Sequence, residues 1–183
     1  MERAAELFAE RGIAAVSVDE VLAAAGAGKG QFYHYFRGRD ELAAAAVGFR
    51  CAQVVAGLTE ALGSVSSLAG LEEALAGFMA GFEQSGMPGC PIGTLASEVA
   101  GRNEDARIQA AAGFDAWERL LAGALERMRQ RGELRADAEP ALLATGLLAS
   151  IEGGMVLSQA RKNMDSLRVA VEAGLTQVRA HLS

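Results

Sequence analysis

Residues 17–36 read SVDEVLAAAGAGKGQFYHYF. Ser17, with Glu20 three places on, is a capping box: the serine hydroxyl takes a free amide of the first turn, and the glutamate reaches back to the serine N–H. A helix therefore starts here, carries Val21 and Leu22 on one face, and stops at Gly26, a residue suited to the C′ position. A second short helix runs from about Lys29 to Phe36. Two short helices joined by Gly26-Ala27-Gly28 fit helix-turn-helix spacing, in which a three- or four-residue turn often carries glycine. Such a pair needs a third helix to close its core. Ala4, Leu7, Phe8 and Arg11 supply one, an amphipathic helix ending at Gly12. The expected core is Leu7, Phe8, Ile13, Val18, Val21, Leu22, Phe32 and Phe36.

The stretch GKGQFYHYF (28–36) holds both tyrosines of the chain and two of its seven phenylalanines. Rings at helical spacing are more often core than surface. Phe32 and Phe36, four apart, suit the core, whereas Tyr33 points away from them and lies beside Lys29. The outward set is Lys29, Gly30, Gln31, Tyr33 and His34, with Tyr35 open between the two faces. In a DNA major groove lysine reads guanine acceptors and glutamine reads adenine. Tyrosine and histidine suit phosphates, which fix register. Gly30 lets the backbone approach a base or sugar closely. Arg39 is placed to clamp a further phosphate, and the amides near Ser17 and Val18 offer a second anion site.

Beyond this region, helical periodicity persists and strand-like alternation is absent. RDEL (39–42) opens a long helix to about Leu62, and Leu71, Leu75, Phe78, Met79 and Phe82 mark a face of the next. SGMPG (85–89) breaks the chain, and Pro91 suits a first helical position. Phe114, Trp117, Leu121, Leu125 and Met128 line another helix, Pro140 starts one more, and Leu167, Val171, Leu175, Val178 and Leu182 stripe the last. The expected fold is all-α, with about nine helices.

The formal charge of −6 argues against a surface that binds nucleic acid all over. Charge is uneven, however: Ala27 to Arg39 carries three basic residues and no acidic one, while the chain after Cys51 has eleven basic against sixteen acidic. Cys51 and Cys90 are too few for a disulfide framework and match no zinc spacing, so a reduced, cytoplasmic setting with no metal or cofactor is expected. No apolar run is expected to reach transmembrane length; ALLATGLLASIEGGMVL (141–157) comes closest, and Glu152 marks it as a buried helix. His34 and His181, the only histidines, sit at opposite ends, and no Ser-His-Asp, metal or phosphate-loop pattern is present, which argues against an enzyme.

Phe8 to Gly12, Ser17, Ala25-Gly26-Ala27-Gly28, Lys29-Gly30, Tyr33 to Phe36 and Arg39-Asp40-Glu41-Leu42 together resemble the DNA-binding segment of TetR/AcrR-type transcriptional repressors. The resemblance implies a helix-turn-helix domain over 1–45, in contact with a double-stranded operator through Ser17, Val18, Gly28, Lys29, Gly30, Gln31, Tyr33, His34, Tyr35 and Arg39. It differs from the family pattern at Gly28, where serine is usual, in the His34-Tyr35 order, and in lacking a basic arm ahead of the first helix. Residues 46–183 are implied to form a ligand-binding and dimerisation domain that meets a second copy through its last two helices. Independently, the helix from Pro140 is apolar on nearly every side, which demands burial all round. Met79, Phe82, Cys90, Leu95, Phe114, Trp117, Leu121 and Met155 are candidates for a pocket holding a small apolar effector, each equally readable as ordinary core.

GMPGCPIGTLASE (86–98) is similar to a stretch of the LmrA/YxaF-like subgroup of that family. Cys90, beside a helix N-terminus, has two readings: a small buried residue, or a thiol that senses electrophiles or oxidants. A different class, a helical interaction module without sequence preference on DNA, is the remaining alternative to an effector-released repressor.

Overall fold

A computed structural model describes residues 1–183 and contains nine α-helices: α1 (Glu2–Arg11), α2 (Val18–Ala25), α3 (Lys29–Tyr35), α4 (Arg39–Leu62), α5 (Leu68–Gln84), α6 (Pro91–Val99), α7 (Glu104–Gln130), α8 (Pro140–Arg161) and α9 (Asp165–Arg179). There is no strand; Leu134 and Leu182 form an isolated antiparallel bridge. The chain divides into two compact units, Met1–Val54 with Pro91–Phe114, and Val55–Cys90 with Asp115–Ser183.

In the first unit Phe8, Ile13, Val21, Leu22 and Phe32 are buried, as their spacing predicts, while Leu7, Val18 and Phe36 are half-buried. Val16, between helices and outside any periodic pattern, is one of the most deeply buried side chains. The loop from α1 to α2 is fixed from two sides. Gly12, at φ 83°, ends α1 with its N–H on the Phe8 carbonyl at 2.9 Å. The Glu98 carboxylate of α6 accepts from the Ala14 amide at 2.8 Å, and Arg39 of α4 donates from Nε to the Val16 carbonyl at 3.2 Å and from Nη2 to the Ile13 carbonyl. Loop amides and carbonyls that leave water need such partners. Gly113 on α7 packs against α4 so closely that a Cβ there would lie 2.9 Å from Cys51 Cβ and Sγ.

In the second unit α8 and α9 pack antiparallel. A Cβ on Gly174 would meet Leu147 Cδ1 at 2.6 Å, and one on Gly154 would meet Leu167 Cα at 2.9 Å. Of the adjacent glycines on α8, Gly154 therefore serves this approach and Gly153 faces open space. The Ser158 hydroxyl, fully buried, accepts from the Leu167 amide at 3.0 Å. That bond caps α9, whose own N-cap residue Met164 makes no side-chain cap.

Two helices, α4 and α8, are long and apolar enough by length and composition to cross a membrane. This corrects the expectation that no segment reaches that length. An unbroken helix tolerates an occasional charge, Arg50 in α4 and Glu152 in α8, so counting uncharged runs understates its apolar reach.

Candidate nucleic-acid interface

The capping box at the head of α2 is complete. Ser17 donates from its N–H to Glu20 Oε2 at 2.8 Å and from its hydroxyl to the same oxygen at 2.7 Å, and the Glu20 N–H returns to Ser17 Oγ at 3.3 Å. Arg11 joins Glu20 Oε1 at 2.7 Å. The bond from the Ser17 amide, then that from its hydroxyl and the Arg11 contact, pull the Glu20 carboxyl from its ordinary 4.5 to about 2. The Ser17 amide, expected to await an anion, is thus already satisfied within the chain.

Gly26 takes the left-handed conformation, φ 63°, and Ala27 N–H returns to the Leu22 carbonyl at 3.0 Å, which turns the chain sharply into α3. Gly28 caps α3 without a side chain. Phe32 is the anchor: it is buried, meets Phe36 at 5.5 Å between ring centroids, and takes Tyr33 edge-on at 5.1 Å.

Lys29, Gly30, Gln31, Tyr33, His34 and Tyr35 all lie exposed, Tyr33 at 66% and Tyr35 at 65%. Spacing of four makes three ridges: Lys29 with Tyr33, Gly30 with His34, and Gln31 with Tyr35. Gln31 and Tyr35 also border a groove of about 710 Å³ walled by Val21, Leu22, Phe32 and Phe36. His34 and Tyr35 stack edge-on at 4.9 Å, so the pair acts as one surface. A Cβ added at Gly28 or Gly30 would touch nothing within 4 Å. Glycine weakens a helix relative to alanine, yet nothing inside this chain requires it at Gly30.

Most cations of this unit already have partners. Arg3 pairs with Glu6, Arg11 with Glu20, and Lys29 with Asp19 at 3.0 Å. Arg39, expected to face a phosphate, turns its guanidinium back to the Ile13 and Val16 carbonyls. The Arg37 side chain, just past α3, is exposed.

Residues 1–46 match the family model for bacterial regulatory proteins of the tetR family, and residues 67–173 match that for the C-terminal domain of LmrA/YxaF-like transcriptional regulators. The chain belongs to the TetR family. It is a DNA-binding transcriptional regulator and not an enzyme. The transcriptional regulator AcuR of Cereibacter sphaeroides is 31% identical over 171 residues, covering 88% of this chain and 75% of that protein. The HTH-type regulator YxaF of Bacillus subtilis is 30% identical over 178 residues, covering 94% and 89%. Among solved structures, a regulatory protein TetR from Rhodobacter sphaeroides superposes with a TM-score of 0.77 at 28% identity, covering 100% of this chain and 96% of that one. E. coli NemR in its reduced form gives 0.78 at 25% identity, covering 100% and 96%.

The pocket candidates of this TetR-family regulator fall in different units. Phe82, Cys90, Trp117, Leu121 and Met155 are buried and Met79 half-buried in the second unit; Leu95, buried, and Phe114, half-buried, belong to the first. Trp117 rests against Phe78 at 5.7 Å between centroids. Glu152, legible in the sequence only as the one charge of a buried helix, stands beside Cys90. Burial raises its carboxyl pKa, and a hydrogen bond from the Cys90 thiol works the other way; its Oε1 is buried without a partner. No group of three or more His, Cys, Asp and Glu is placed to hold a metal.

Proposed function

We propose that this regulator is a cytoplasmic homodimeric repressor, released from a palindromic operator by a small apolar effector. Residues 1–45 meet DNA and residues 46–183 bind the effector and the second copy. The observation that carries the reading is the outward face of α3: polar groups around a helical glycine that the fold itself does not need. Lys29, Gln31, Tyr33, His34 and Tyr35 reach bases and phosphates, Gly28 and Gly30 admit close approach, and Ser17 and Val18, at the head of α2, meet the DNA backbone beside them. Arg39 serves this face by holding the α1–α2 loop.

Dimerisation is supported by α8 and α9. Leu142, Val156 and Leu157 on α8 and Val169 on α9 stay 66%, 57%, 45% and 70% exposed. Large apolar side chains gathered on one helix pair suit a twofold interface. Twofold symmetry sets two copies of α3 about 34–36 Å apart, one turn of DNA. An effector that binds better to a body conformation with another separation shifts the population away from the operator. Selection of bound sites from random DNA, followed by release with a panel of apolar metabolites, tests the reading. A palindrome and release support it; a monomer at micromolar concentration or an asymmetric site contradicts it.

A second reading rests on the Cys90–Glu152 hydrogen bond. The Cys90 sulfur adds to an activated alkene, its proton passes to Glu152, and the alkene carbon beside the activating group takes that proton back. The burial of Cys90 opposes this reading. Alkylation that releases DNA from the wild type and not from Cys90→Ser would favour it over the apolar effector.

A further inference from the structure

Asp19, at the second position of α2, is the acidic group that meets the recognition face. Its Oδ1 and Oδ2 lie 3.0 and 3.3 Å from Lys29 Nζ, ten residues on and across the turn. Both side chains remain open, at 69% and 70% exposure. An ion pair this exposed adds little to stability; Asp19 also complements the N-terminus of α2 from its first turn, which does not require the contact with Lys29. The carboxylate raises the Lys29 pKa. Glu20, the other acid of this first turn, is taken up by the cap and Arg11.

A carboxylate beside a recognition helix is repelled by DNA phosphates unless it meets a donor. In the major groove the donors are cytosine N4 and adenine N6, whereas guanine presents two acceptors, N7 and O6. A G·C pair therefore shows two acceptors and then one donor. Guanine O6 and cytosine N4 are joined by a pairing hydrogen bond, so they lie about 2.9 Å apart. That spacing is close to the 3.0 Å between the Lys29 ammonium and the Asp19 carboxylate.

We infer that Asp19 and Lys29 act together as a ready-made reader of one G·C base pair in each half-site, the ammonium on guanine N7 and O6 and the carboxylate on cytosine N4. The ion pair stays intact in the complex, and Asp19 is a specificity-determining residue. An A·T pair gives the ammonium one acceptor in place of two and sets thymine O4, a further acceptor, beyond the donor that the carboxylate would use. The inference rests on α3 being the reading helix, and adds a residue of α2 to it.

The test compares wild type, Asp19→Ala, Lys29→Ala and the double variant on random DNA, and then on the selected operator carrying N4-methylcytosine at the position assigned to Asp19. In the wild type one G·C position per half-site is selected, and methylation at N4 weakens binding about five- to tenfold, the worth of one good base contact. Asp19→Ala loses most of the preference at that position and becomes insensitive to the methyl group, and the double variant discriminates there no worse than Lys29→Ala. Thermal midpoints of the exposed-site variants stay near wild type. If Asp19→Ala tightens binding to all sequences equally, Asp19 only repels DNA and the inference fails. Unchanged preference in Asp19→Ala overturns the inference and leaves the operator reading standing; a wild type that selects no sequence overturns both.

Discussion

The Glu98 carboxylate accepts a hydrogen bond from the Ala14 amide at 2.8 Å, across 84 residues of sequence. That bond ties α6 to the loop that sets the entry of α2. It also explains Gly12, because a Cβ there would lie 3.1 Å from Glu98 Oε1 in addition to the strain of φ 83°. Glu98→Ala removes the acceptor and leaves the loop amide to water. We expect a loss of about 1.5–3 kcal/mol in denaturant unfolding, the range for a hydrogen bond to a charged group. Gly12→Ala should destabilise by about 1–3 kcal/mol, because φ 83° with ψ 147° is a backbone conformation that residues other than glycine rarely adopt. Operator affinity should fall in both variants, since the loop carries the head of α2.

The close approach of α4 and α7 at Gly113 gives a second expectation. Gly113→Ala places a methyl group 2.9 Å from Cys51 Cβ and Sγ, and should cost about 1–3 kcal/mol by overpacking. Cys51→Ala in the same chain removes the sulfur and should recover part of the loss. Denaturant midpoints of the two single variants and the double variant check this, and additive losses would contradict the shared contact.

Acid should loosen the head of α2. The Glu20 carboxyl is held at about 2 against an ordinary 4.5. A group with a lowered folded pKa contributes its full stability above the unfolded value and loses it as pH falls through the folded one. Stability from this cap should therefore decline between about pH 4.5 and pH 2. Glu20→Gln should lack this part of the acid slope, as read from unfolding midpoints against pH.

Glu152 should behave in the opposite sense. Burial raises its folded pKa above 4.5. Between the unfolded and folded values the native chain holds more protons, so stability falls as pH rises through that window and levels off above it. Glu152→Gln should flatten the fall. Cys90→Ala, which removes the thiol that lowers the Glu152 pKa, should move the upper end of the window higher.

Much of this architecture is legible in the sequence because it is local. The Ser17–Glu20 box, Gly26, and the prolines at the heads of α6 and α8 mark helix ends from chemistry within a few residues, and the bounds of α4 follow from RDEL and the apolar run to Leu62. What escaped reading depends on distant partners. Val16 has no period to reveal its burial, and Arg39 looks free for phosphate until the Ile13 and Val16 carbonyls are seen beside it. The capping box places Glu20 on the Ser17 amide, as its spacing implies, so the anion site expected at that amide conflicts with the box itself. Asp19 meets Lys29 only because the turn folds α3 back across α2, and Glu152 finds Cys90 from 62 residues away. Leu95 and Phe114 share helical spacing with the other pocket candidates, but periodicity says nothing of the compact unit a helix face joins.

The central claim is that the outward face of α3 reads the operator, and Gly30 tests it most directly. Alanine there touches nothing in the chain and should keep or raise helix stability, by up to about 1 kcal/mol. The methyl group would stand where the backbone approaches DNA. The measurement is the affinity of Gly30→Ala for DNA selected by the wild type, read together with its thermal midpoint. The account predicts a midpoint equal to or above wild type and an affinity at least about tenfold weaker, a change of about 1.4 kcal/mol. A Gly30→Ala protein that is as stable and binds the operator as tightly as wild type would contradict it.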